Sequence, residues 1–264
     1  MKLLEQLAQR LSTLDMVDTV ALSGSMTSPI HDADSDYDLY IYSRSDVPRD
    51  ARERIIREFS DDYTVGNAFF EEGDEFFTDS PRRTAVDMMY RRLDWAQDEI
   101  DWVWNKGNAR LGYTTCFLYN LRTSKPLFDR DGRFGRLVAP LGDRYPEKLR
   151  RNIIDKNHAM LRGHLEAPYF TQIELAVNRG DIVSMNHRVA ALLASYFDIL
   201  FAYNRQLHPG EKKLMPYAHM LCERLPERFD EDMARTIQSV GNRETLLPSL
   251  TTLLDSLDRL LAQD

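Results

Sequence analysis

The sequence has only two cysteines in 264 residues, Cys116 and Cys222, and they form neither a disulfide framework nor a Cys-x-x-Cys pair. Both are expected as small apolar residues buried in a core, in a reducing compartment. The six histidines, among them His31, His158 and His187, lack the His-Glu-x-x-His or any other zinc spacing, so structural zinc is not expected. Basic charge is in deficit: the net charge is −8, which argues against a broad nucleic-acid-binding surface and leaves room only for a local phosphate pocket. Long hydrophobic runs are missing too. The most apolar stretch, Val189 to Tyr203, is interrupted by Ser195 and Asp198 and is too short to span a bilayer, so no membrane association is expected. The opening Met-Lys-Leu-Leu-Glu-Gln-Leu-Ala-Gln-Arg begins an amphipathic helix without the apolar centre of an export signal, which points to the cytoplasm. A P-loop pattern, a Ser-His-Asp or Cys-His arrangement, internal repeats and low-complexity segments are all absent.

A composition of 43% hydrophobic and 29% charged residues is enough to build a packed core in one large domain or two modest ones. Leu3, Leu4, Leu7 and Leu11 recur at helical spacing, and Val20-Ala21-Leu22 reads as a short strand ending on Ser23-Gly24-Ser25. A polar, turn-rich segment follows before a second strand from Asp38 to Tyr42, which is expected to pair with the first. Pro48 to Phe59 reads as a charged surface helix, and Thr64 to Phe70, Glu75 to Thr78 and Arg83 to Tyr90 as three further strands. Helical patterns cover the segment from Leu93 through Trp95, Trp102 and Trp104, then Leu111 to Leu121. The three tryptophans are expected in the core or at a domain interface. Asp129-Arg130-Asp131-Gly132 marks a turn. Pro140 to Pro146 is the best boundary, giving domains 1–139 and 140–264. Ile182 to Asn204 and the leucine repeat from Leu246 to Leu261 make the second domain helical.

The chemistry concentrates in Gly24-Ser25 and Asp36-Tyr37-Asp38. Side chains alternate along a strand, so Asp36 and Asp38 share a face and can hold a divalent cation between them. Gly24 permits close backbone approach, and Ser25 with neighbouring N–H groups can donate to phosphate oxygens. A third carboxylate, Asp87, interrupts the apolar strand Ala85-Val86-Asp87-Met88-Met89-Tyr90, where an unpaired charge is costly and a metal would remove the cost. Such acids, set against a triphosphate, are what metal-dependent nucleotidyl transfer requires. Lys212, in His208-Pro209-Gly210-Glu211-Lys212-Lys213, either belongs to a helix stop or supplies a point charge to the triphosphate; Lys213 is the lesser candidate. Arg82-Arg83 and Arg91-Arg92 flank the Asp87 strand and are expected to be solvated, with contact from one of them to a phosphate as the alternative. His31 is expected to be a surface-loop residue.

The series Gly24-Ser25, Asp36-Tyr37-Asp38 and Asp87 resembles the nucleotidyltransferase superfamily related to DNA polymerase beta, and the resemblance is specific over residues 20 to 42. It implies an α+β fold: a small mixed-sheet catalytic domain with flanking helices, followed by an all-α domain. In that arrangement the chain resembles small-molecule enzymes of the aminoglycoside and lincosamide type. The second half, through Arg179-Gly180-Asp181 and the His208 to Lys213 segment, resembles a bacterial domain of unknown function found behind such catalytic domains. The resemblance implies magnesium at Asp36 and Asp38, ATP or another nucleoside triphosphate at Gly24 and Ser25, and Asp87 as second-metal ligand or proton acceptor. Glu174, Asp181 and Glu211 are further candidates for the base. The implied reaction is transfer of AMP to a hydroxyl of a small molecule. A protein or RNA acceptor, as in toxin–antitoxin systems, and a non-catalytic nucleotide-binding module are the alternatives.

Overall fold

Alternating apolar residues gather on one face of a sheet. The computed structural model describes residues 2–30, 35–67, 72–78, 83–142, 144–163 and 167–263. Helix α1 (Lys2–Ser12) buries Leu4, Leu7, Ala8 and Leu11, the stripe set by their helical spacing, and leads into β1 (Val17–Ser23). There follow β2 (Tyr37–Ser43), α2 (Arg49–Ile56), β3 (Tyr63–Asn67), β4 (Gly73–Phe77), β5 (Ala85–Arg92) and α3 (Leu93–Ile100). Further on come α4 (Cys116–Thr123), β6 (Lys125–Asp129) and α5 (Arg133–Val138). The six strands lie in the order β3-β4-β5-β2-β1-β6. β2 and β5 run parallel and the other neighbours antiparallel, so the sheet is mixed and the fold α+β, as expected.

Val20 and Leu22 of β1, Leu39 and Ile41 of β2, Phe76 of β4, and Val86 and Met88 of β5 form one cluster with α1 and with Ile55 and Ile56 of α2. Each such side chain contributes roughly 1.5–3 kcal/mol on burial. The alternate residues point to the other face, where the ring of Tyr42 packs 5.3 Å from that of Phe134 in α5. Helix α2 is less of a surface helix than its charges suggest. Arg52 is buried, 2.6 Å from Glu72 and 4.6 Å above the ring of Tyr90. Strand β6 goes unrecognised in the sequence because Pro126 weakens the strand signal; an edge strand tolerates proline, since its missing N–H costs no ladder bond there. Of the segment read as a strand to Phe70, residues 68–70 lie outside the described residues.

The chain forms two compact units: Met1–Trp102 with Asn120–Arg144, and Val103–Tyr119 with Tyr145–Asp264. Among the described residues the second unit is all helical, with α6 (Glu147–Arg162), α7 (Tyr169–Arg179), α8 (Ile182–Tyr203), α9 (Leu214–Leu221), α10 (Phe229–Gln238) and α11 (Leu246–Leu261). No helix among the described residues is long and apolar enough to cross a membrane.

Residues 111–115, expected as the start of a helix, are irregular, and α4 begins only at Cys116. Gly112 and Tyr113 both take left-handed backbone conformations, with φ of +74° and +54°, which no helix accommodates. A Cβ on Gly112 would stand 2.9 Å from Cβ of Ala194 in α8. Buried polar bonds hold the segment instead. The Thr114 N–H and hydroxyl donate to the carboxylate of Asp198 at 3.0 and 2.6 Å, Asn157 Nδ2 donates to it at 3.2 Å, and the Gly112 N–H donates to Asn157 Oδ1 at 2.9 Å. Burial still pushes Asp198 up to about 7. Cys222 is buried as expected, but Cys116 is half-buried, because it opens α4 at the edge of this turn. Trp104 is buried against Tyr145, whereas Trp95 and Trp102 are exposed, at 44% and 37%.

Thr114→Val keeps the side-chain shape and removes one donor to a buried carboxylate. It should lower unfolding stability by about 1–3 kcal/mol in a denaturant titration, with the far-ultraviolet circular dichroism of the folded state unchanged.

Candidate active site

Strand register decides which acids meet. Asp38 on β2 lies directly beside Asp87 on the parallel strand β5; Glu75 on β4 is the other register partner of Asp87, and Ser23 on β1 that of Asp38. Register partners point to the same face of a sheet, with strands about 4.8 Å apart. Glu75, Asp87, Asp38 and Ser23 therefore form a row across four strands, on the face opposite the core. Asp36 lies just before β2 and is exposed. Asp87 is pushed up to about 6, chiefly because burial removes it from water, and further by the charges of Asp38, Glu75 and Asp36.

The turn after β1 closes the row. Gly24–Thr27 is a single 3-10 turn in which Gly24 has a φ of +63°, the Thr27 hydroxyl donates to the Gly24 carbonyl at 3.0 Å, and the Ser28 N–H donates to the Ser25 carbonyl at 3.1 Å. A Cβ on Gly24 would stand 1.8 Å from Oδ2 of Asp38. The glycine is required twice over, by its backbone conformation and by the carboxylate lying against its Cα. Gly24, Asp38 and Asp87 are thus brought together, with Ser25 half-buried in the same turn. Among the described residues, no three His, Cys, Asp or Glu side chains converge as a ready-made metal cage. The donors match a hard divalent cation in type and in order along the sheet, and the elevated Asp87 marks burial and, beyond it, neighbouring negative charge, which a cation would offset.

Lys212 and Glu211 are exposed in the turn before α9, in the second unit, and Glu174 is exposed on α7. Asp181 caps α8, its carboxylate accepting from the Ser184 N–H at 3.0 Å and from the Ser184 hydroxyl at 2.7 Å. Arg83 pairs with Asp62 at 2.6 Å and Arg92 with Asp94 at 2.7 Å, while Arg91 stacks 4.3 Å from the ring centre of Tyr40 on the face that carries Asp38. His31 and Arg82 lie outside the described residues. Sequence reasoning missed Glu75 and Ser23. The signal for each is parity along its strand, and it becomes informative only once the register is known.

Residues 114–214 match a family described as Domain of unknown function (DUF4037), over less than half of the chain. No curated protein matches the sequence. Among solved structures, the chain is similar to a nucleotidyltransferase-like protein from Exiguobacterium sibiricum 255-15, at 13% identity and a TM-score of 0.47, over 98% of this chain and 74% of that one. It is also similar to a spectinomycin adenyltransferase from Enterococcus faecialis, solved with ATP and spectinomycin, at 14% identity and a TM-score of 0.31, over 90% of this chain and 98% of that one. Both scores lie below 0.5, so the chemistry of the site rests on its own residues.

Gly24→Ala should destabilise the protein by about 1–3 kcal/mol, through backbone strain and collision with Asp38. Removing the carboxylate as well, in Gly24→Ala/Asp38→Ala, should recover part of that loss, so that a double-mutant cycle on unfolding free energies shows coupling. Additive losses would mean that the two groups do not touch.

Proposed function

We propose that the chain is a magnesium-dependent nucleotidyltransferase that moves a nucleoside monophosphate, AMP from ATP, to a hydroxyl of a small molecule. The observation that supports this reading best is the register of Asp38 beside Asp87, with the Gly24 turn against Asp38. In this reading residues 1–139 are the catalytic domain and 140–264 a helical domain. Asp36, Asp38 and Asp87 would hold the cation, with Glu75 adding negative charge from the next strand. Bound there, magnesium would neutralise charge developing on the phosphates as pyrophosphate leaves.

The chain's own groups divide the work. Gly24 lets the Asp38 carboxylate lie against the turn, and the Ser25 hydroxyl and nearby N–H groups donate to phosphate oxygens. Asp87, with its proton released near pH 6, is suited either to bind a cation above that pH or to take the proton of an attacking hydroxyl, since a group of that pKa is largely ionised at neutrality yet still basic. The surplus of acid disfavours a nucleic acid acceptor. We place the enzyme in the cytoplasm.

In assays of pyrophosphate release with nucleoside triphosphates and a panel of small hydroxyl compounds, Asp38→Asn and Asp87→Asn should each lower kcat on the order of 10²–10³-fold or more, with no fall in melting temperature. At limiting magnesium, where the metal-free carboxyl sets the profile, the wild-type rate should rise through about pH 6 as Asp87 ionises, and chelation of divalent cations should abolish it. Undiminished turnover in either variant would contradict the reading.

A further inference from the structure

At the other end of β2 the first unit gathers four arginines. A cavity of about 460 Å³ is lined there by Arg44, Arg92, Arg133 and Arg136, together with Asp18 and Asp94. Arg44 lies beyond the end of β2, six residues after Asp38, or about 20 Å along an extended strand, so the cavity is separate from the carboxylate row.

Its charges do not cancel. Asp18 is 1% exposed, and one of its oxygens receives both Arg44, at 2.5 Å, and Arg133, at 3.4 Å, so a single buried carboxylate serves two guanidiniums. Arg92 is matched by Asp94. Arg136 donates to the backbone carbonyl of Asp131 at 2.7 Å and has no carboxylate partner among the described residues. The lining therefore carries two surplus positive charges in a chain whose net charge is −8. Asp15, Asp46 and Asp131 act on these arginines only from outside the lining.

The buried Asp18 anchors Arg44 and Arg133 from beneath, while both arginine side chains stay more than 40% exposed. Anchored guanidiniums lose little further freedom on binding, and their planar forks match phosphate oxygens two at a time. Leu93 and Leu137 add an apolar wall, which inorganic phosphate would not use and a carbon skeleton would. The volume lies within the range of small-molecule sites. We propose that this cavity binds an organic phosphate, a small phosphomonoester whose phosphate is held by Arg133, Arg136 and Arg44 and whose apolar part lies against Leu93 and Leu137.

Phenyl phosphate is a suitable probe, titrated into the full chain by calorimetry in the presence of a chelator. The expected result is saturable binding that is tighter than for inorganic phosphate and is weakened at least tenfold by Arg136→Glu. It should be unaffected by Arg54→Glu, an equal charge change at an exposed residue of α2 that pairs with Asp50. Arg136→Gln tests the same contact with less disturbance to folding, which circular dichroism checks for every variant. Binding should also survive Asp38→Asn, which separates this site from the proposed active site. The proposal is overturned if the wild-type chain shows no saturable binding, if inorganic phosphate binds as tightly, if Arg54→Glu weakens binding as much as Arg136→Glu does, or if Asp38→Asn abolishes it.

Discussion

Two carboxylates, Asp38 and Asp87, stand side by side because β2 and β5 pair in parallel with those residues in register. In water such a pair would move apart; on adjacent strands of a sheet whose other face is packed with Leu39, Ile41, Val86 and Met88, they cannot. The packing energy of that face is what holds the charges together. A slip of one residue in register would carry Asp87 into the core and Val86 or Met88 to the surface, so the hydrophobic pattern that fixes the sheet also fixes the site.

Burial, and after it the proximity of Asp38, raises the proton affinity of Asp87 to about 6. Because the folded-state value lies above the unfolded value, near 3.9, the protonated carboxyl fits the fold without penalty at low pH. Stability is lost as pH rises from the unfolded value through about 6, where the ion must be accommodated. A cation that binds the ionised pair reverses this loss. The Gly24 turn works with the same constraint: its missing side chain makes the space in which the Asp38 carboxylate lies.

Much of this was legible in the residues themselves. Alternation in Asp38-Leu39-Tyr40-Ile41-Tyr42 identifies β2 and separates its acidic face from its apolar one, and Asp87 stands out as a charge inside an apolar strand. Glu75 was not legible, because its neighbour Asp74 is equally acidic and is buried on the other face; only pairing with β5 distinguishes them. The turn at 111–115 was hidden because its conformation depends on Asn157 and Asp198, over 40 and 80 residues away. Asp181 could have been recognised as a cap from Ser184 three residues later. The arginine cavity draws on residues from 18 to 137, and no local pattern marks it.

The most direct measurement is the carboxyl titration of Asp87, followed by carbon-13 nuclear magnetic resonance with and without magnesium. In the metal-free protein the midpoint should fall near 6, Asp38→Asn should lower it by removing the neighbouring charge, and magnesium should shift it well below 6 in the wild type. A midpoint that magnesium leaves unchanged would contradict the assignment of this carboxylate pair as the cation-binding centre.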